Sequence, residues 1–119
     1  MDEIVQYIVV RTDLDMSPGK VIAQCCHATR GFMIDHELTE TEQAWFDNSH
    51  PTIVIKVKSE EKLLAIVKQA KENNIMCHLV TDEGRTELNG STNTCLALGP
   101  DKKSLLQPIT KRLQLLKQF

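Results

Sequence analysis

The sequence predicts an α/β protein, and three observations predict it. Strand-like runs recur at Ile4–Val10, which is apolar and β-branched, and at Thr52–Lys58, Ile75–Thr81 and Thr94–Leu98. Stretches with helical spacing of apolar residues separate most of them. Turn-forming residues mark joints at Asn48–Pro51, Asn73-Asn74 and Gly99-Pro100. Such alternation is the pattern of a parallel or mixed sheet, and right-handed crossovers would place helices on both of its faces. The 119 residues fit one domain, 1–119, with no linker, repeat or low-complexity segment.

Ile4–Val10 is apolar almost throughout, so it reads as a central strand covered on both faces. Arg11, Thr12 and Asp13 leave its end. A helix should then start at Pro18 and run to about Ile34. Ser17 is a good N-cap, and Pro18 fits the first helical position because its missing N–H is not needed there. Val21, Cys25, Ala28 and Phe32 form the apolar stripe, widened by Ile22, Cys26 and Met33. Lys20, Gln24, His27 and Gly31 line another face. That face begins at the positive end of the helix dipole and has no carboxylate, which suits an anion or a developing negative charge. Read alone, it is also the polar face that any surface helix shows.

Thr39, with Glu42 three residues later, reads as a capping box for a second helix docked by Ala44, Trp45 and Phe46. Ser59 caps a third helix reaching about Asn73, with Glu60 and Glu61 in its first turn. Leu63, Leu64, Val67 and Ala70 are its apolar face, and Lys62, Lys68 and Lys71 its wet one. From Ser104 to Phe119 the spacing of Leu105, Leu106, Ile109, Leu113 and Leu116 fits a helix broken or re-aimed at Pro108, with an extended end.

The net charge of −2 excludes a protein that is basic overall. The charge is uneven: residues 31–50 hold five acids and no Lys or Arg, and the remainder carries 14 bases against 11 acids. A local basic surface fits this, and a strong overall field does not. No apolar run approaches the ~20 residues of a bilayer span. Met-Asp-Glu leads straight into a strand and is no signal peptide, so a cytoplasmic, reducing setting is expected. Cys25, Cys26, Cys77 and Cys95 form no C-x-x-C pair and are expected to be buried free thiols. Cys25-Cys26-His27 lacks zinc-ligand spacing, and neither a metal nor a cofactor is expected. Phosphate-loop and hydrolase-elbow motifs are absent. His36, His50 and His78 lack a Ser or Cys nucleophile at a recognisable spacing, and His78 reads as a core or rim histidine. Aromatic residues make up only 4%, too few for a base-stacking platform.

In open α/β sheets, sites form beyond the carboxyl ends of strands. Arg11–Lys20, Asp82–Glu87 and Gly90–Thr94 qualify. Asp82-Glu83-Gly84-Arg85-Thr86-Glu87 places a carboxylate, a cation and a hydroxyl together after a strand. The plain alternative is an Asp-x-Gly turn with Arg85 pairing Asp82.

Four motifs in register make the reading specific. Val9-Val10-Arg11-Thr12-Asp13-Leu14, Met16–Ala28, Asp82–Leu88 and Thr94–Pro100 together resemble the type 2 peptidyl-tRNA hydrolases of archaea and eukaryotes, over about residues 5–116. The resemblance implies a three-layer α/β/α sandwich on a four-stranded mixed sheet, often a dimer. It implies hydrolysis of the ester between a peptide and the tRNA 3′ ribose, so that peptidyl-tRNA is the partner and no membrane is involved. By position, Lys20, Asp82, Thr86 and Thr94 match the family's catalytic residues, and Arg11, Gln24, His27 and Arg85 match substrate- or tRNA-binding positions. Asp82 would position or deprotonate water, Lys20 would stabilise an oxyanion or a phosphate, and Thr86 and Thr94 would orient substrate by hydrogen bonds.

The chain departs from the family pattern at Ser17-Pro18, Thr52 and Glu87. Each departure lowers positive charge near the expected tRNA face, where phosphate contacts set affinity. Two other readings stand beside the enzyme: a non-catalytic RNA- or protein-binding module on the same fold, and a small phosphate-ligand protein resting on Ser17–Lys20. The intact Lys20, Asp82, Thr86 and Thr94 set favours the enzyme.

Overall fold

The most apolar run becomes the central strand. The computed structural model describes residues 2–84, 88 and 90–118. β1 (Ile4–Arg11) lies inside a sheet of order β3-β4-β1-β2-β5, formed with β2 (Thr52–Val57), β3 (Cys77–Asp82), β4 (Thr92–Lys102) and β5 (Gln114–Leu115). β1 and β2 are parallel, whereas β1/β4, β3/β4 and β2/β5 are antiparallel. The sheet is therefore mixed and has five strands rather than four. The fifth is only two residues long, and its Leu115 lies opposite Ile55 of β2.

Two apolar layers sandwich the sheet. On one face Val5, Tyr7, Val9, Ile55 and Val57 pack with Leu63, Ile66 and Ala70 of α4 (Glu60–Glu72) and Leu106 of α5 (Lys103–Thr110). On the other, Ile8, Val10, Cys95 and Ala97 pack with Val21 and Ala28 of α1 (Pro18–Arg30). Strand alternation explains the division, since odd and even positions of β1 point to opposite sides. Beyond α1, a single turn α2 (Phe32–Asp35) leads to α3 (Glu40–Asp47). Trp45 meets Phe32 edge-on with ring centroids 5.9 Å apart, and its Nε1 donates to Pro51 O at 2.9 Å.

The caps follow the sequence. Ser17 Oγ accepts from Lys20 N at 3.2 Å, Ser59 Oγ accepts from Lys62 N at 3.1 Å, and Thr39 and Glu42 form the reciprocal capping box.

Three boundaries differ from the expectation. The first helix stops at Arg30 instead of Ile34. At Gly31 the chain tightens, with Gly31 N donating to Ala28 O and Ile34 N to Gly31 O. A Cβ at Gly31 would lie 2.0 Å from the His78 ring, so the close approach of strand and helix requires glycine. Second, β4 does not close at Gly99-Pro100 but continues to Lys102 through a cis Gly99–Pro100 peptide. Gly99 has φ +85°, and a Cβ there would sit 2.8 Å from Asp101 N. The register shift between Val5 and Tyr7 takes up the irregularity. Third, Pro108 lies inside α5 without breaking it. The missing proline N–H removes one helical bond, and the helix ends two residues later, where Thr110 Oγ1 donates to Leu106 O.

All four cysteines are free, but only Cys95 is fully buried; Cys25 and Cys77 are half-buried and Cys26 is exposed, contrary to the expectation of four buried thiols. Cys26 turns outward because it follows the core-facing Cys25 by one helical step. Burial pushes the Cys25 and Cys77 thiols up to about 11 and Cys95 up to about 12. Brief iodoacetamide treatment of the folded protein at pH 8 should therefore give one adduct, at Cys26, by mass spectrometry. Equal modification of all four would contradict this packing.

Candidate active site

The start of α1 and the end of β3 meet at one point. Lys20 stands in the first turn of α1, placed there by the Ser17 cap and Pro18. Asp82 is the last residue of β3. Lys20 Nζ donates to Asp82 Oδ1 at 2.5 Å across 62 positions of sequence, and the two side chains are only 11% and 10% exposed. The second carboxylate oxygen, Oδ2, accepts from Gly84 N at 2.8 Å. The Asp-x-Gly turn is thus present, but it and the ion pair use different oxygens. The Lys20 ammonium, first, holds the Asp82 carboxyl below its ordinary range; burial opposes this, while Gly84 N–H and the nearby His27 add to it. His27 lies exposed two turns along α1 on the same side.

A bulge builds the layer beneath. The β3–β4 register shifts between Val80 and Thr81, so that Val80 pairs with Cys95 while Thr81 pairs with Asn93. Thr94 is the extra residue. An extra residue interrupts strand alternation and re-aims side chains. Thr94 and Cys95 consequently both reach Gln24 of α1: Thr94 Oγ1 donates to Gln24 Oε1 at 2.5 Å, and Cys95 Sγ–H to Gln24 O at 3.4 Å. Thr94 is 0% and Gln24 3% exposed.

Arg11 closes the same edge of the sheet. Its Nε and Nη2 donate to both carboxylate oxygens of Asp13, at 3.0 and 2.7 Å. Nη1 donates to Asn93 O at 3.0 Å and approaches Glu60 Oε2 at 3.4 Å. Asn93 Oδ1 in turn accepts from Thr81 Oγ1 at 2.7 Å.

Residues 4–116 match the family described as Peptidyl-tRNA hydrolase PTH2. The chain belongs to the PTH2 family. A peptidyl-tRNA hydrolase of Methanothermobacter thermautotrophicus is 38% identical over 113 residues, covering 93% of this chain and 98% of the relative. That of Methanococcus maripaludis is 35% identical over 113 residues, covering 93% and 97%. A probable peptidyl-tRNA hydrolase 2 of Dictyostelium discoideum is 37% identical over 113 residues, covering 92% of this chain and 53% of the longer relative.

Of the eight positions singled out in the sequence, this PTH2 chain brings Lys20, Asp82, Gln24 and Thr94 into one layered cluster, with His27 at its margin. Arg11 lies at the same edge but is paired within the protein. Thr86 and Arg85 lie outside the described residues. Sequence reasoning missed Asn93, which receives both Arg11 and Thr81, and Cys95. Asn93 had a faint signal, since it directly precedes the strand residue already singled out. Cys95 had none, because its strand pattern marks it only as an apolar residue facing the α1 layer with Ala97.

Proposed function

We propose that this chain hydrolyses the ester bond joining a peptide to the 3′ ribose of tRNA, with Lys20 and Asp82 as its reactive centre. The observation that carries the reading is the 2.5 Å contact between a helix-start ammonium and a strand-end carboxylate, both nearly buried. PTH2 membership and hydrolase relatives of matching length support the activity.

Ester hydrolysis needs an oriented water and a group that stabilises the tetrahedral oxyanion. Lys20 supplies positive charge at a site where backbone N–H groups already favour an anion. Asp82, held below the ordinary carboxylate range, stays ionised and is a poor base, so it orients water and Lys20 rather than storing a proton. The buried hydroxyl of Thr94 acts through Gln24, not on substrate directly. Arg11, bound to Asp13, Asn93 and Glu60, supports the strand ends. Thr86 and Arg85 keep, by position, the roles of a substrate-orienting hydroxyl and a tRNA-contacting cation, and His27 that of a substrate contact. Four free thiols and a substrate made during translation support a cytoplasmic setting. A second copy of the chain as partner follows from the family resemblance, and sedimentation velocity tests it.

The assay is release of N-acetyl-amino acid from purified N-acetyl-aminoacyl-tRNA. Rapid release by the wild type supports the reading, and no release above buffer overturns it. The folded-state pKa of Asp82 lies below 3.8, so the stabilisation from its pairing is full above 3.8 and is lost as pH falls through the lower folded value. An acid limb of kcat/KM due to Asp82 should therefore lie below pH 3.8. A limb near pH 6 would assign a different acid or base.

A further inference from the structure

We propose that Lys56, Lys58, Lys62 and Arg112 form the surface that holds phosphates of the tRNA strand leading away from the reactive centre. The proposal rests on the hydrolase reading above and says where that substrate runs. The four cations line a groove of about 240 Å³ together with Val57, Leu113 and Gln114, and among the described residues no carboxylate lines it. Lys58, Lys62 and Arg112 are exposed and Lys56 is half-buried. Lys20, Arg11 and Lys103 each meet a carboxylate, at 2.5, 2.7 and 3.9 Å, whereas among the described residues none pairs with these four. Glu60 and Glu61 stand nearby in the first turn of α4, and Glu60 is turned toward Arg11 at 3.4 Å.

The topology explains the cluster. Lys56 pairs with Gln114 across the antiparallel β2/β5 ladder, and following both chains outward brings Lys58 level with Arg112. Lys62 enters from the start of α4, capped by Ser59. This is the end of the sheet that carries Asp82 and Arg11: Arg11 pairs with Val57, and Asp82 with Thr92 at the start of β4. Three strand steps separate β3 from β2, and four separate it from β5. At ~4.8 Å per step the patch begins roughly 14–19 Å from Asp82. A substrate ester placed at Lys20–Asp82 has its phosphodiester chain within that range. The family departure at Ser17-Pro18 leaves fewer cations beside the loops, whereas Thr52 stands at the far end of β2; Lys56, Lys58 and Arg112 of the β2–β5 edge and Lys62 of α4 supply four at the near end.

The test uses the full chain with Lys58→Gln, Lys62→Gln and Arg112→Gln combined. Lys56 is left in place because it lies inside the β2 ladder. KM and kcat are measured from low to high salt on N-acetyl-aminoacyl-tRNA and on an N-acetyl-aminoacyl ester of the terminal nucleoside, which lacks the phosphates. For single strands the log–log salt slope changes by about 0.7 per phosphate contact, so three lost contacts should flatten it by about 2. The tRNA substrate should show KM raised at least tenfold at low salt with kcat within twofold, and the nucleoside ester should be unaffected. Unchanged KM and slope on tRNA overturn the proposal, as does an equal loss on both substrates. If the wild type hydrolyses neither substrate, the reactive-centre reading fails. The patch is then judged by fluorescence anisotropy with uncharged tRNA, where an unchanged slope overturns it and a flattened one upholds it.

Discussion

Asp82→Asn should lower kcat on N-acetyl-aminoacyl-tRNA by ~10²–10⁴-fold while KM moves little, and Lys20→Ala should do the same within that range. The two side chains share one short contact, so removing either disables the other. Asp82→Asn leaves the Lys20 ammonium beside a neutral amide in place of the carboxylate that fixes it at 2.5 Å. Lys20→Ala leaves a nearly buried carboxylate held, among the described residues, by Gly84 N–H with His27 nearby. The double variant should therefore be little worse than the poorer single one, the non-additivity expected of groups acting as a unit. Losses that multiply would show two independent roles. Turnover within threefold of wild type in either single variant would remove that residue from the centre.

The second large effect is expected at Thr94, whose hydroxyl is fully buried and donates to Gln24. Thr94→Val keeps the shape and removes the hydroxyl. Gln24 Oε1 then loses the donor that orients it, in a buried position. An unsatisfied buried acceptor costs ~1–3 kcal/mol, so thermal stability should fall measurably. Activity should fall up to ~10²-fold through kcat, because small misplacements at a reactive centre are costly. Thr94→Ser restores the donor and should recover most of kcat. Recovery of stability without recovery of kcat would make Thr94 a packing residue only.

The strand and helix alternation, the three caps and the burial of Ile4–Val10 were legible because each depends on neighbours in sequence. Lys20 and Asp82 were legible as candidates, the one from its place at a capped helix start, the other from its place at a strand end. Their contact was not, since nothing local records a distance across 62 positions. The bulge at Thr94 was invisible for a related reason. Bulges arise from how two strands align, and a single strand's apolar pattern looks the same with or without one. For Arg11 the resemblance gave a substrate- or tRNA-binding position, and its partners Asp13, Asn93 and Glu60 were not legible, since two of them lie 49 and 82 positions away. The continuation of β4 through Gly99-Pro100 misled because that dipeptide usually marks a turn. Here a positive-φ glycine at a register shift keeps the ladder going.

The two-residue strand β5 carries a consequence out of proportion to its length. Leu115 lies opposite Ile55, and Leu116 N donates to Val54 O at 3.0 Å, so this short ribbon shields the flank of β2. Proteolytic trimming past Lys111 would bare a row of unsatisfied amides and carbonyls beside apolar side chains. Such a flank templates the addition of strands from other molecules. Covering the flank of β2 is thus the part that β5 and Leu116 play in the fold.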